Sequence, residues 1–170
     1  CTHVGIDVGE DGKTHQCIDY FALMRNIPDY QVIVPCDPNE TDRATRYALA
    51  TPGNVLVTMG RSKLPVITAE DGSEFFGGQN WTYGQAHHFR NGSKATVFAL
   101  GAMSGPALKA WETLKAKNID VALIGVSCPF AIAAAEIEAA SARGPVFVVE
   151  DHLSVSGLAA QLAYQAALLG

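Results

Sequence analysis

The densest chemistry in the sequence lies at its start, where Thr2-His3 is followed by Gly9-Glu10-Asp11-Gly12-Lys13-Thr14-His15-Gln16. Two imidazoles and an acid pair spread along a glycine-rich loop could meet a polyhydroxylated or phosphorylated ligand, because imidazole donates and accepts while a carboxylate only accepts. Glycines at 5, 9 and 12 would let the backbone come close to it. The spacing is too irregular for a metal site. A solvated loop with a turn-forming Asp-Gly pair and an ordinary helix start accounts for the same residues.

Three other clusters carry less. His87-His88 are adjacent, so on any regular element they point different ways, and they read as a linker pair rather than metal ligands. The 101–105 loop follows a strand and precedes a helix, as a nucleotide-binding turn does, but it has neither GxGxxG nor Walker spacing and reads as structural. Glu150-Asp151-His152 ends a strand, where parallel sheets expose functional groups, and stays a further candidate. Cys1, Cys17, Cys36 and Cys128 show no CxxC spacing and are expected as reduced, mostly buried thiols.

The elements that must position these residues alternate between strand and helix. Apolar spacing predicts a helix over 17–27 stopped by Pro28, and a buried strand over 31–35. Turn and cap chemistry at Asp37-Pro38-Asn39-Glu40 opens a second helix that ends at Thr51-Pro52-Gly53, before a strand over 54–59. Between 60 and 94 glycines and polar residues replace any sustained periodicity, and 66–94 is read as a linker between units at 1–65 and 95–170. The second unit reads βαβαβα: strands over 95–100, 121–126 and 146–149, and helices over 105–117, 131–142 and 157–168. Ser104 is the expected N-cap of the first of these helices. Unbroken apolar strands alternating with helices predict an α/β fold with a parallel sheet covered on both faces.

Composition narrows the partners. Twelve Lys and Arg against 17 Asp and Glu leave a formal net charge of −5. No basic surface is therefore expected to bind nucleic acid or an anionic membrane. No stretch of roughly 18 consecutive apolar residues suggests a membrane span, and no secretory leader is evident, so a cytoplasmic location is expected. Charged residues make up only 17% and apolar ones 48%, so another surface is expected to cover part of this one. Residues 1–4 read as the end of a strand already in progress, so a fragment or split subunit is expected.

The run Thr2-His3-Val4-Gly5-Ile6-Asp7-Val8-Gly9-Glu10-Asp11-Gly12-Lys13-Thr14-His15-Gln16 closely resembles the THxxIxxGEDGxTHQ signature of transketolases. The resemblance continues through Leu23-Met24-Arg25-Asn26-Ile27-Pro28, Val34-Pro35-Cys36-Asp37, Glu40 and Gly60-Arg61-Ser62-Lys63-Leu64-Pro65, as in that family's pyrimidine-binding domain. Glu10 favours transketolases over deoxyxylulose-phosphate synthases, which usually carry alanine before the aspartate. Residues 95–170, including Val148-Val149-Glu150-Asp151-His152, resemble the C-terminal domain that transketolases share with the β-type subunits of 2-oxoacid dehydrogenases.

The resemblance implies a truncated parallel-sheet pyrimidine-binding domain followed by a transketolase C-terminal-like domain. It implies transfer of a two-carbon ketol group from a ketose phosphate to an aldose phosphate, with thiamine diphosphate and Mg²⁺, the cofactor-binding residues being expected upstream and the metal in a domain absent from this chain. By position in the motif, His3 would contact the sugar phosphate and Asp11 would read the hydroxyl next to the carbonyl. His15 would line the channel towards the reacting carbons, and Arg61 would clamp phosphate. The catalytic candidates are thus His3 and His15, and the substrate-binding candidates His3, Asp11, His15 and Arg61. A homodimer, or a complex with an upstream part, is the implied assembly. A β-type subunit of another thiamine-diphosphate enzyme and a non-catalytic assembly module are the alternatives.

Overall fold

A computed structural model describes residues 1–78 and 80–170. The first half is built on two parallel strands, β1 (Gln31–Ile33) and β2 (Val55–Val57), paired from Gln31 with Val55 to Ile33 with Val57. Val32, Ile33 and Val34 are buried, and three β-branched side chains in a row suit a strand covered on both faces. Helix α2 (Pro38–Ala50) joins the strands. It starts where Asp37 turns extended and accepts the Glu40 N–H on Oδ1 at 2.7 Å, with Pro38 in the first turn, where no N–H is needed.

Helix α1 (Tyr20–Met24) is shorter than the 17–27 span the periodicity predicts. Cys17 is the reason: its N–H donates to the His3 carbonyl and its carbonyl accepts from the Gly5 N–H, which commits it to an extended pairing. Residues 1–4 run beside β2, with the Met59 N–H donating to the Cys1 carbonyl and the Val4 N–H to the Met59 carbonyl.

The second half is a four-stranded sheet in the order β3 (His87–Arg90), β5 (Ala122–Val126), β4 (Thr96–Leu100), β6 (Val146–Val149). Strands β4, β5 and β6 are parallel, and helices α3 (Ser104–Ala116), α4 (Ala134–Arg143) and α5 (Leu158–Leu169) alternate with them. The α/β class and the parallel strand-helix alternation are as the sequence implies.

Strand β3 is an addition, antiparallel to β5, inside the stretch read as a linker. A register shift between His88 and Arg90 breaks its two-residue alternation, which removes the signal a pattern search needs. Ile67, Phe76 and Phe89 from the same stretch are buried with Trp111 and Leu123, so these three pack against the sheet. Two boundaries also differ. Ser104 opens α3 without capping it, because a short 3₁₀ turn at Gly101–Met103 precedes the helix and Met103 holds the cap position. Helix α4 begins at Ala134 rather than 131, because the Ala131 N–H closes a turn onto the Cys128 carbonyl.

One core serves both halves. Phe21, Val32 and Val34 share a buried cluster with Phe98, Leu100, Ile124 and Val126, and the Val34 N–H donates to the Ser127 carbonyl at 2.7 Å. Gly125 of β5 lies under the Phe89 ring, where a Cβ would come within 2.2 Å of Cε2. Gly125→Ala is expected to destabilise the protein by about 1–3 kcal/mol through overpacking, read as a lower midpoint in urea unfolding. Among the described residues no helix is long and apolar enough to cross a membrane. Several large apolar side chains lie open, with Leu49 85%, Val155 84% and Leu168 69% exposed.

Candidate functional site

The pairing of residues 1–4 with the extension of β2 decides where the chemistry gathers. Val4 and Met59 are hydrogen-bonded neighbours, so His3 and the strap from Gly60 to Ile67, which carries Arg61, leave the same edge. The loop expected at 9–16 is largely a 3₁₀ turn, Gly9–His15, broken at Gly12 by a φ of +66°. The break lets Asp11 and His15 present separate groups from one short segment.

His3 and His15 come together, their rings edge-on with centroids 6.2 Å apart. Each Nδ1 shares a hydrogen bond with the hydroxyl of the preceding threonine: Thr2 Oγ1 at 2.9 Å for His3, and Thr14 Oγ1 at 3.0 Å for His15. With Nδ1 engaged, Nε2 is the nitrogen each ring offers to a ligand. His3 is held at a φ of +64°, a conformation costing on the order of 1–3 kcal/mol for a residue with a Cβ, of the kind that clusters at functional sites.

Asp11 and Arg61 also come together, as an ion pair through Oδ2 and one guanidinium nitrogen. The same nitrogen donates to the Val8 carbonyl at 3.2 Å and lies 3.9 Å from a Glu10 oxygen. The arginine side chain is 45% exposed, so it is oriented by the loop yet open to solvent. The site residues thus stand as two close pairs, the imidazoles of His3 and His15 and the ion pair of Arg61 with Asp11, Asp11 and His15 being carried by the same short turn.

Of the remaining candidates, Glu150 is structural in its contacts. Glu150 accepts the Leu158 and Ala159 N–H groups at 2.6 and 3.0 Å and so caps α5. His152 is buried, stacked on Phe21 with centroids 4.4 Å apart, and Asp151 lies 3.4 Å from its Nδ1. Both line a cleft of about 310 Å³ with Val4, Met59, Ser62 and Lys63, next to the strap but not lined by the four candidate residues. His87 and His88 do point apart. His88 is exposed and meets Glu136 at 3.1 Å, whereas His87 is buried against Glu40 at 2.7 Å.

A buried polar centre around Glu40 has no counterpart among the site residues the sequence singles out. Glu40 is fully buried and accepts from the Cys36 N–H and the Trp81 indole N–H, each at 2.7 Å, besides pairing with His87. Burial alone would raise its pKa, but the His87 contact and the Cys36 N–H outweigh burial and hold the carboxyl below the usual range. The one local signal was an acid three residues after an N-cap aspartate, a capping-box spacing, whose carboxylate here reaches back to Cys36. All four cysteines are free, and burial pushes the Cys36 thiol well up and the Cys128 thiol to about 12, which keeps both unreactive.

A family model of the transketolase pyrimidine-binding domain matches residues 1–66, and one of the transketolase C-terminal domain matches residues 84–168. The chain belongs to the transketolase family. It is 35% identical over 126 residues to a transketolase of Geobacillus stearothermophilus, covering 74% of this chain and 19% of that protein. It is 28% identical over 160 residues to an apulose-4-phosphate transketolase subunit of Phocaeicola vulgatus, covering 92% and 48%. Among solved structures, a split-gene transketolase described as an inactive β4 tetramer superposes with a TM-score of 0.82 at 27% identity, covering 99% of this chain and 52% of that one. The chain thus spans about half the length of these relatives or less.

Transketolase-family membership implies thiamine diphosphate and a divalent metal in general terms. Among the described residues no group of three or more His, Cys, Asp or Glu is arranged to hold a metal ion.

Proposed function

We propose that this chain is the substrate-reading part of a transketolase, transferring a two-carbon ketol group from a ketose phosphate to an aldose phosphate. The observation that supports the reading is that, within the stretch matching a transketolase pyrimidine-binding domain, His3 lies against His15 and Arg61 against Asp11. In this reading thiamine diphosphate, bound with Mg²⁺ on polypeptide outside these 170 residues, supplies the electron sink for cleaving and forming the carbon-carbon bond.

The chain's own residues bind and orient. Arg61 takes the phosphate, because a planar guanidinium donates two parallel hydrogen bonds to it. Phosphate arriving there competes with the Asp11 carboxylate, which is freed to accept from the hydroxyl beside the carbonyl. His3 adds a donor to the phosphate, and His15 donates from Nε2 to oxygens nearer the reacting carbons. Fixing donor and acceptor in this way converts a bimolecular step into an effectively unimolecular one.

The exposed apolar side chains and low charge content support assembly into a homodimer or a complex with an upstream part. The test is turnover by the complete protein containing this chain, loaded with thiamine diphosphate and Mg²⁺. Ketose phosphate and aldose phosphate should give products lengthened or shortened by a two-carbon unit. Activity confined to 2-oxoacids would replace the reading with that of a 2-oxoacid dehydrogenase β-type subunit, and no turnover of either would favour an assembly module.

A further inference from the structure

The strap from Gly60 to Ile67 has no regular secondary structure, yet it carries the guanidinium on which the proposed phosphate recognition depends. Its far end is held by Asp37, whose Oδ2 accepts the Ile67 N–H at 3.0 Å while Oδ1 caps α2. Its near end is held by Asp7. The Arg61 N–H donates to Asp7 Oδ1 at 3.3 Å, the Ser62 N–H to Oδ2 at 3.1 Å, and the Ser62 hydroxyl to the Asp7 carbonyl at 3.3 Å. Gly60 makes the approach possible, since a Cβ there would lie 2.8 Å from Oδ2.

We infer that Asp7 is the positioning residue for Arg61, an inference that rests on the sugar-phosphate reading above. Two successive backbone N–H groups aimed at one carboxylate make a charge-assisted clamp that a neutral side chain does not reproduce. The clamp fixes the Arg61 backbone to the loop whose Val8 carbonyl and Asp11 carboxylate orient the side chain, so backbone and guanidinium are set by one five-residue segment, 7–11. Asp7 itself need not touch substrate. It sets where the phosphate clamp stands when substrate arrives, and so acts on binding of phosphorylated molecules rather than on bond cleavage.

The experiment uses the complete, cofactor-loaded protein with Asp7→Ala and Asp7→Asn, two donors (a ketose phosphate and an unphosphorylated hydroxyacetyl donor), and a calorimetric titration with the ketose phosphate alone. Asp7→Ala should raise KM and Kd for the ketose phosphate about ten-fold, the loss of one charged hydrogen bond, with kcat and the unphosphorylated donor's KM unchanged. Asp7→Asn should fall between, since its amide oxygen accepts one of the two N–H groups, and it remains informative if the alanine variant fails to fold. In an Arg61→Ala background Asp7→Asn should add no further loss. Equal losses on both donors, additive losses with Arg61→Ala, or tighter phosphate binding in the variants would overturn the positioning role while leaving the functional reading intact. A wild-type protein that neither turns over nor binds ketose phosphate would overturn both.

Discussion

Glu40→Gln is expected to lower the unfolding free energy by about 3 kcal/mol, since each buried donor left unpaired costs about 1–3 kcal/mol. The carboxylate meets three donors, from Cys36, Trp81 and His87, in a site closed to water. An amide offers one accepting oxygen and sets an NH₂ against the remaining donors, leaving buried polar groups unpaired. The effect reaches across the molecule because Glu40 belongs to α2, whereas His87 belongs to β3 and touches Ser127 at 3.1 Å. A pH signature should accompany it. The folded-state pKa of Glu40 lies below its ordinary value, so its stabilisation is complete above the ordinary carboxylate pKa and is lost as pH falls through the depressed one. Urea unfolding of the complete protein from neutral pH into the acid range should show that loss in the wild type and a flatter profile in Glu40→Gln. Equal midpoints and equal acid slopes would contradict the assignment.

Arg61→Ala should weaken phosphorylated substrates by about 1.5–3 kcal/mol, a charged hydrogen bond lost, or roughly ten- to hundred-fold in KM. Unphosphorylated hydroxyacetyl donors should be spared, because they offer the guanidinium no anion. Since Arg61 is paired with Asp11 before substrate binds, the two substitutions should be non-additive, and Asp11→Asn alone should leave the guanidinium freer for inorganic phosphate while impairing ketol transfer. Steady-state kinetics with paired donors, and a phosphate inhibition series, read both effects. Equal loss with both donor classes would remove Arg61 from phosphate recognition.

The elements legible in the sequence are those whose signal is local. Asp37-Pro38 marks the start of α2, and β4 and β5 are uninterrupted apolar runs that few other structures can bury. The loop motif was legible because types and spacing survive in one short stretch. What stayed hidden is non-local. Nothing near Cys17 announces that its backbone will pair with His3 and Gly5 and shorten α1. His87 looked like half of a linker pair because its partner, Glu40, lies 47 residues away. Asp7 was one more acid in a polar loop until folding brought the Arg61 and Ser62 amides to its carboxylate. Glu150, at a strand end suited to chemistry, is occupied in capping α5.

The most direct test of the whole account follows the carbons. A ketose phosphate isotopically labelled at its first two carbons is given, with an unlabelled aldose phosphate, to the complete cofactor-loaded protein. Both labels are expected to leave together and appear in a ketose phosphate two carbons longer than the acceptor, with the transfer suppressed in Arg61→Ala. Label that stays in the donor while a 2-oxoacid is consumed by the same preparation would contradict it.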